Sequence, residues 1–368
     1  LDSNLKITFE NAFPKFKLSQ FTSGLTKRNR FGITSVYNLA LMDSLFKNEL
    51  DWQQIREQVI ASSINLQYLN SQLASAKSFG ALITSFCRKY DAPLHSRVLD
   101  FVNYLLKVNI NEGVPTESFQ SIYTERVELA FYLIYTYFSR TKSLDIDDKK
   151  ILEIVKNAST LLSSSSMNFF TNLAESRGCY KPLLKLIYCS LKLIRDASLV
   201  LAEYLSLFRD LFNAIVIKGT QILLIEVQND VYLARTRKNF KSPKMNDRID
   251  DLMIILSVLK VFVGAQFGSI LHEEIALSIK ENGTINSLLN LYSFAHSIEV
   301  NDEFIFARLS LMYLLELMSV NIIAEKVIAS GLFLVLLESP ISRPIRTGGV
   351  SISHGIHYHR LWTNGILP

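Results

Sequence analysis

The sequence predicts an all-α protein, an α-solenoid of armadillo- or HEAT-like helical repeats stacked in a right-handed curve. Three observations predict it. First, a glycine followed by paired leucines recurs. Gly178 precedes Leu183, Leu184 and Leu186, and Gly283 precedes Leu288, Leu289 and Leu291 at identical offsets. Gly219 with Leu224 and Ile225, and Gly331 with Leu336 and Leu337, repeat the first two offsets. The glycines lie 41, 64 and 48 residues apart, and the long interval falls to 50 when 14 polar, basic residues, 235–248, are set aside. A helix–glycine–helix unit at such a period is the signature of armadillo and HEAT arrays. Second, apolar residues step by three and four along most of the chain, and no useful length alternates with period two. Third, 368 residues are too many for one compact helical core, and only 8 prolines and 14 glycines interrupt them.

The clearest corner is 279–292, IKENGTINSLLNLY. Gly283 can take the left-handed conformation that closes a helix at little steric cost. Thr284 is then the expected N-cap of the next helix. Ile285, Leu288, Leu289 and Tyr292 share one face of it. By the same phrase Gly178, Gly219, Gly283 and Gly331 are the expected helix corners.

Taken in order, residues 1–30 read as an irregular lead-in, with Pro14, Gly24 and several basic residues. The solenoid is expected over 31–337. A first helix covers about 31–47, with Val36, Leu39, Ala40 and Phe46 inward. A second starts at Trp52 behind Asp51 and runs towards Tyr90, with breaks expected near 62–63 or 78–80, before Pro93 stops it. Residues 95–108 form the next. Val127, Phe131, Ile134 and Phe138 mark an amphipathic helix, and 145–162 follows it. Further stripes are Leu201, Leu205, Phe208, Phe212 and Ile215, then Leu252, Ile255, Leu259 and Phe262, then Leu311, Leu315, Met318 and Ile322. Residues 338–368, with three prolines, Gly348-Gly349 and three histidines, read as a connection leading to a truncated tail. A chain opening on Leu1 and closing on an apolar phrase at 365–368 is expected to be part of a longer polypeptide.

Composition narrows the function. Apolar residues make up 49% and charged residues 20%, so surfaces covered by repeats or by partners are expected. A net charge of +5 gives no global field for nucleic acid. Cys87, Cys179 and Cys189 form no CxxC pair and suit a reducing compartment. The near-apolar run 252–271 is long enough to consider as a membrane span, but a helix buried on several sides reads the same way and is preferred here.

No constellation supports catalysis. His354, His357 and His359 are the best metal candidate, yet no Cys, Asp or Glu lies within fourteen residues. His272-Glu273-Glu274 fails the HExxH pattern because residue 276 is Ala. Asp147-Asp148 fits a helix start, where acidic residues meet the positive end of the dipole. Cys87 and Cys189 read as packing residues. The strongest charge feature is Arg235, Arg237, Lys238, Lys241, Lys244 and Arg248. It is expected as an inter-helix loop; an acidic protein partner and nucleic acid are the other readings. Stacked helices that expose long grooves suit an interaction protein with no cofactor and no small-molecule substrate.

Several phrases carry a family resemblance. RFGITSVYNLALMDSLF at 30–46 and NLQYLNSQLASAKSFGALI at 65–83 resemble the opening of the C-terminal region of the largest inner-ring scaffold nucleoporins. ERVELAFYLIY at 125–135 and HRLWTNGILP at 359–368 are similar to later phrases of that family. The family has two large paralogues, and the phrases lean to the shorter. The resemblance implies a non-enzymatic scaffold subunit of the nuclear pore complex at the nuclear envelope, with a karyopherin-like helical stack. Its implied partners are other inner-ring nucleoporins, especially the linker nucleoporin anchoring the central-channel trimer, and FG-repeat nucleoporins. A soluble karyopherin or armadillo-type transport receptor is the alternative. An importin-alpha-type adaptor would repeat Trp and Asn along its groove, and here there are only Trp52 and Trp362.

Overall fold

A computed structural model describes residues 26–28, 35–86, 92–107, 116–140, 147–163, 173–194, 197–236, 245–264, 268–300, 303–346, 352 and 355–361. The fold is all-α, with one small exception. Thr26–Arg28 (β1) and Ser35–Tyr37 (β2) pair antiparallel, Thr26 opposite Tyr37, where an irregular lead-in and the start of a helix were expected. The chain divides into two compact units, Leu1–Leu193 and Ile194–Pro368.

In the first unit, α1 is Leu39–Phe46 and α2 is Trp52–Phe86. α2 is unbroken over 35 residues, where a break was expected. Its buried residues Leu69, Leu73, Ala76 and Ile83 recur on one stripe, and that continuous contact sustains the length. Arg56 Nε meets Asp43 Oδ1 at 2.7 Å and Trp52 Nε1 donates to the same oxygen at 3.0 Å, tying α2 to α1. α3 (Ala92–Leu106), α4 (Thr116–Arg140), α5 (Asp148–Leu162) and α6 (Leu173–Leu193) follow. Asp147 caps α5 by accepting from the backbone N–H of Lys149 at 3.0 Å. Packing runs in two rows: α2 against α4 and α4 against α6, with α3 against α5 beside them. Each helix therefore meets its next-but-one neighbour, which is the order of stacked helix pairs.

The second unit has a different period. α7 (Ala197–Leu211) passes without a corner through a π-helical segment, Phe212–Gly219, into α8 (Thr220–Thr236). α9 is Met245–Phe262, α10 Gly268–Glu281, α11 Thr284–Phe294, α12 Ile305–Met318, α13 Asn321–Ala329 and α14 Leu332–Glu338. Two short helices, α15 (Arg343–Arg346) and α16 (Ile356–Leu361), lie in the segment read from sequence as a connection. Here α7 packs on α10 and α10 on α13, α8 on α11 and α11 on α14, and the π segment on α9 and α9 on α12. Each helix meets the third one along, so the unit is built of helix triplets in the armadillo manner. α9 is enclosed by several neighbours. That is why Leu252, Ile255, Val258, Leu259 and Phe262 are all buried and its sequence reads as nearly apolar. No described helix is long and apolar enough to cross a membrane.

Two stripes read from sequence are out of register. Ala40 is exposed while Met42 and Phe46 carry the buried side of α1. On α12 the buried set is Phe306, Leu309, Ser310, Tyr313, Leu314 and Leu317, leaving Leu315 exposed, and Ile322 is exposed on α13. Leu311 is buried too, so two apolar faces competed in the sequence, and contact with α9 and α11 selects one.

Candidate protein interaction surfaces

The four glycines occupy two kinds of place. Gly283 (φ 62°) and Gly331 (φ 88°) are left-handed residues between α10 and α11 and between α13 and α14. Each glycine itself occupies the N-cap position, so Thr284 is not the cap. Thr284 is fully buried at the first position of α11, with Ile285, Leu288, Leu289 and Tyr292 buried along the same helix. Gly178 and Gly219 are not corners. Gly178 lies inside α6, four residues before Pro182. Proline has no N–H to donate to that carbonyl, yet the helix continues past it. Gly219 ends the π segment and the helix continues. The reason is visible in Tyr313, fully buried on α12. Its hydroxyl donates to the Val216 carbonyl at 3.3 Å and meets Thr220 Oγ1 at 3.0 Å. A widened helix leaves carbonyls that need such partners. In triplet order Gly219, Gly283 and Gly331 still hold equivalent places, between the first and second helix of each triplet.

The basic run also separates. Arg237, Lys238, Lys241 and Lys244 lie outside the described residues, between the end of α8 and the start of α9. Arg235 is in the last turn of α8. Arg248 is not a surface contact. It is buried at the start of α9, ion-paired with Asp230, and its Nε meets Glu226 Oε2 at 3.0 Å. Its Nη1 also donates to the Glu226 carbonyl at 3.0 Å. The guanidinium thus clamps α8 to α9, using the forked geometry that only arginine offers.

The histidines of the last segment are divided as well. His354 lies outside the described residues. His357 Nδ1 is 2.8 Å from Glu299 Oε1, and its ring packs edge-on to Phe304 at 5.4 Å. Together with Arg360, 3.5 Å from Glu303, it docks α16 beside α12. Among the described residues no group of three His, Cys, Asp or Glu is placed to hold a metal ion. Cys179 is buried, and burial pushes its thiol up to about 12, the opposite of a nucleophile's needs. Burial raises Cys189 too. Cys87 lies outside the described residues.

The second unit does expose an apolar surface. Phe333, Leu334 and Leu337 on α14 are each 58–59% exposed, and Ile322 and Ile328 on α13 are exposed beside them in the chain. α13 and α14 are the last described members of their rows. Of the Leu336-Leu337 pair that marks the repeat in the sequence, Leu337 lies in this surface and Leu336 is half-buried.

Residues 154–368, more than half of the chain, match the family described as nuclear pore protein NUP188 C-terminal domain. The chain belongs to this family. It is 31% identical over 381 residues to nucleoporin NUP188 of Saccharomyces cerevisiae, covering 99% of this chain and 23% of that protein. It is 23% identical over 347 residues to nucleoporin nup184 of Schizosaccharomyces pombe, covering 92% of this chain and 21% of that protein. The chain therefore spans between a fifth and a quarter of the length of these nucleoporins. The family match covers the last helices of the first unit and the whole of the triplet-built second unit.

Proposed function

We propose that this chain is a non-catalytic scaffold element of the nuclear pore complex, in its inner ring at the nuclear envelope, acting through protein–protein contacts. The observation that carries the reading is the match of 154–368 to the NUP188 C-terminal domain. Rows of helices that stack in order and leave apolar side chains on α13 and α14 support it physically, since such faces favour association. The partners proposed are other inner-ring nucleoporins, above all the linker nucleoporin that anchors the central-channel trimer, with FG-repeat nucleoporins as further contacts. The basic residues Arg235, Arg237, Lys238, Lys241 and Lys244 remain a proposed contact with an acidic protein.

The test is affinity capture of the tagged parent protein from nuclear envelopes, with quantitative mass spectrometry. Inner-ring nucleoporins should be recovered independently of nucleotide. Association switched by the nucleotide state of the small GTPase Ran would overturn the scaffold reading and favour a transport receptor.

A further inference from the structure

The charge of this chain is unevenly placed. Its excess of basic over acidic side chains is +5, and five basic residues, Arg177, Lys181, Lys185, Lys192 and Arg195, fall within 176–195, where there is no Asp or Glu. Outside that stretch basic and acidic residues are equal in number. Four of the five belong to α6. The buried side of α6 is Leu183, Leu184, Ile187 and Leu191, so the basic residues lie off its core.

Lys181, Lys185, Tyr188 and Lys192 step by 4, 3 and 4, which sets them on one outward seam. The first three are half-buried and Lys192 is exposed. Lys185 lies over the Phe131 ring of α4 at 5.9 Å, and Lys192 lies over Tyr188 at 5.4 Å. Among the described residues neither of these two lysines meets a carboxylate. A ring face attracts an ammonium group but carries no net charge, so both positive charges stay uncompensated.

α4 supplies the other half of the surface. It runs beside α6 in the same direction, since Cys179 in the first turns of α6 bonds with Thr124 while Lys185 reaches Phe131. Next to Phe131, Tyr132 and Tyr135 are 51% and 58% exposed, and the Tyr135 ring leans on Phe131 at 5.7 Å. Glu128, one turn before Tyr132, is an exposed acid and bounds the patch.

We infer that the α4–α6 face lies against the surface of a bilayer carrying anionic lipid. Charge complementarity names the lipid: an acid-free row of basic residues meets a negative headgroup layer. The tyrosines name the bilayer. Tyrosine rings settle at the level of the headgroups, and lysine lays its apolar stem along them while its ammonium reaches the phosphates. Single-stranded nucleic acid stacks its bases on open ring faces, and here lysines cover those of Phe131 and Tyr188. An acidic peptide matches the lysines but offers no apolar counterpart to Tyr132 and Tyr135. Each lysine near anionic headgroups strengthens partitioning by about fivefold, so the three together give about a hundredfold. That makes a peripheral, salt-sensitive contact without insertion. The inference borrows from the scaffold reading only the nearness of the nuclear envelope; the surface itself stands without it.

The test is flotation of the purified full-length parent with phosphatidylcholine vesicles that hold about 30 mol% phosphatidylserine. The parent should float with these vesicles and not with phosphatidylcholine alone, and about 0.5 M salt should release it. Lys185→Gln with Lys192→Gln should lower the partition coefficient about 25-fold. Lys149→Gln with Lys156→Gln makes the same change of charge at exposed sites on α5 and should leave it unchanged. Circular dichroism melts of both double variants should match the parent. Tyr135→Trp should add an emission that shifts to the blue on anionic vesicles and is quenched by brominated lipid, whereas Tyr68→Trp on α2 should add one that does neither. Absence of flotation, equal losses in the two double variants, or an unquenched probe at Tyr135 would overturn the inference. So would tighter binding to oligouridylate or to polyglutamate than to vesicles of the same charge. Failure on vesicles with nucleoporin capture intact sinks the membrane face alone, and loss of nucleoporin capture by the unaltered parent sinks the scaffold reading.

Discussion

Replacing Gly283 isolates the cost of a backbone conformation. Its φ of 62° and ψ of 23° are left-handed, and an added Cβ would meet nothing within 4 Å. Gly283→Ala therefore creates no clash and removes no contact. It pays only the steric penalty of an L side chain in the left-handed region, about 1–2 kcal/mol. Gly283→Asn should cost clearly less, because asparagine tolerates that region through local hydrogen bonding. In a unit of this size 1 kcal/mol lowers the melting temperature by about 2–4 °C. Differential scanning calorimetry should show Ala below Asn below glycine. Gly331 (φ 88°), also without neighbours within 4 Å, should give the same order. Equal melting temperatures for all three residues at Gly283 would refute the claim that this corner needs a left-handed residue.

Four further outcomes are expected. Leu289→Asp puts a charge at a position 3% exposed on α11 and should destabilise by about 3 kcal/mol or more, seen as loss of the second unit's thermal transition. Arg248→Met strands Asp230, itself buried, and should cost about 3–5 kcal/mol, whereas Arg248→Met with Asp230→Leu and Glu226→Leu should recover most of it in urea denaturation. His95 is buried on α3, and burial holds its pKa below the ordinary 6.5. The folded state thus prefers the neutral ring, so its contribution is present above about pH 6.5 and lost as pH falls through the lowered value; His95→Gln should lose less stability than the parent between about pH 7.5 and pH 5.5. Cys179, held at about 12 against an ordinary 9.0, has about a thousandfold less thiolate than a free cysteine and should resist iodoacetamide until the chain is unfolded.

Much of this architecture was legible along the chain. A helix is a local structure, and the spacing of Ile285, Leu288, Leu289 and Tyr292, or of Leu252, Ile255, Leu259 and Phe262, already assigns the buried side of α11 and α9. The scarcity of charge over 58–86, where Lys77 stands alone, was equally open to view, but a scarcity has no periodicity to announce it, and only the exposure of Tyr68 and Phe79 turns it into a surface. The basic run shows the opposite case. Six cations in one stretch suggested one property, yet Arg248 serves as a clamp because Asp230 and Glu226 lie one helix earlier, a partnership no local pattern encodes.

The sequence by itself determined that this is a helical chain of repeated units and where its breaks can fall, because helix period and glycine's freedom at positive φ are properties of a few neighbouring residues. Only tertiary structure decided which glycine phrases become corners. Gly283 and Gly331 turn, whereas Gly219 is carried through because Tyr313, 94 residues further along, reaches the Val216 carbonyl of its π segment. It also decided that helices stack by pairs in one unit and by triplets in the other, since that depends on which apolar faces meet across the chain, as the choice between two faces of α12 shows.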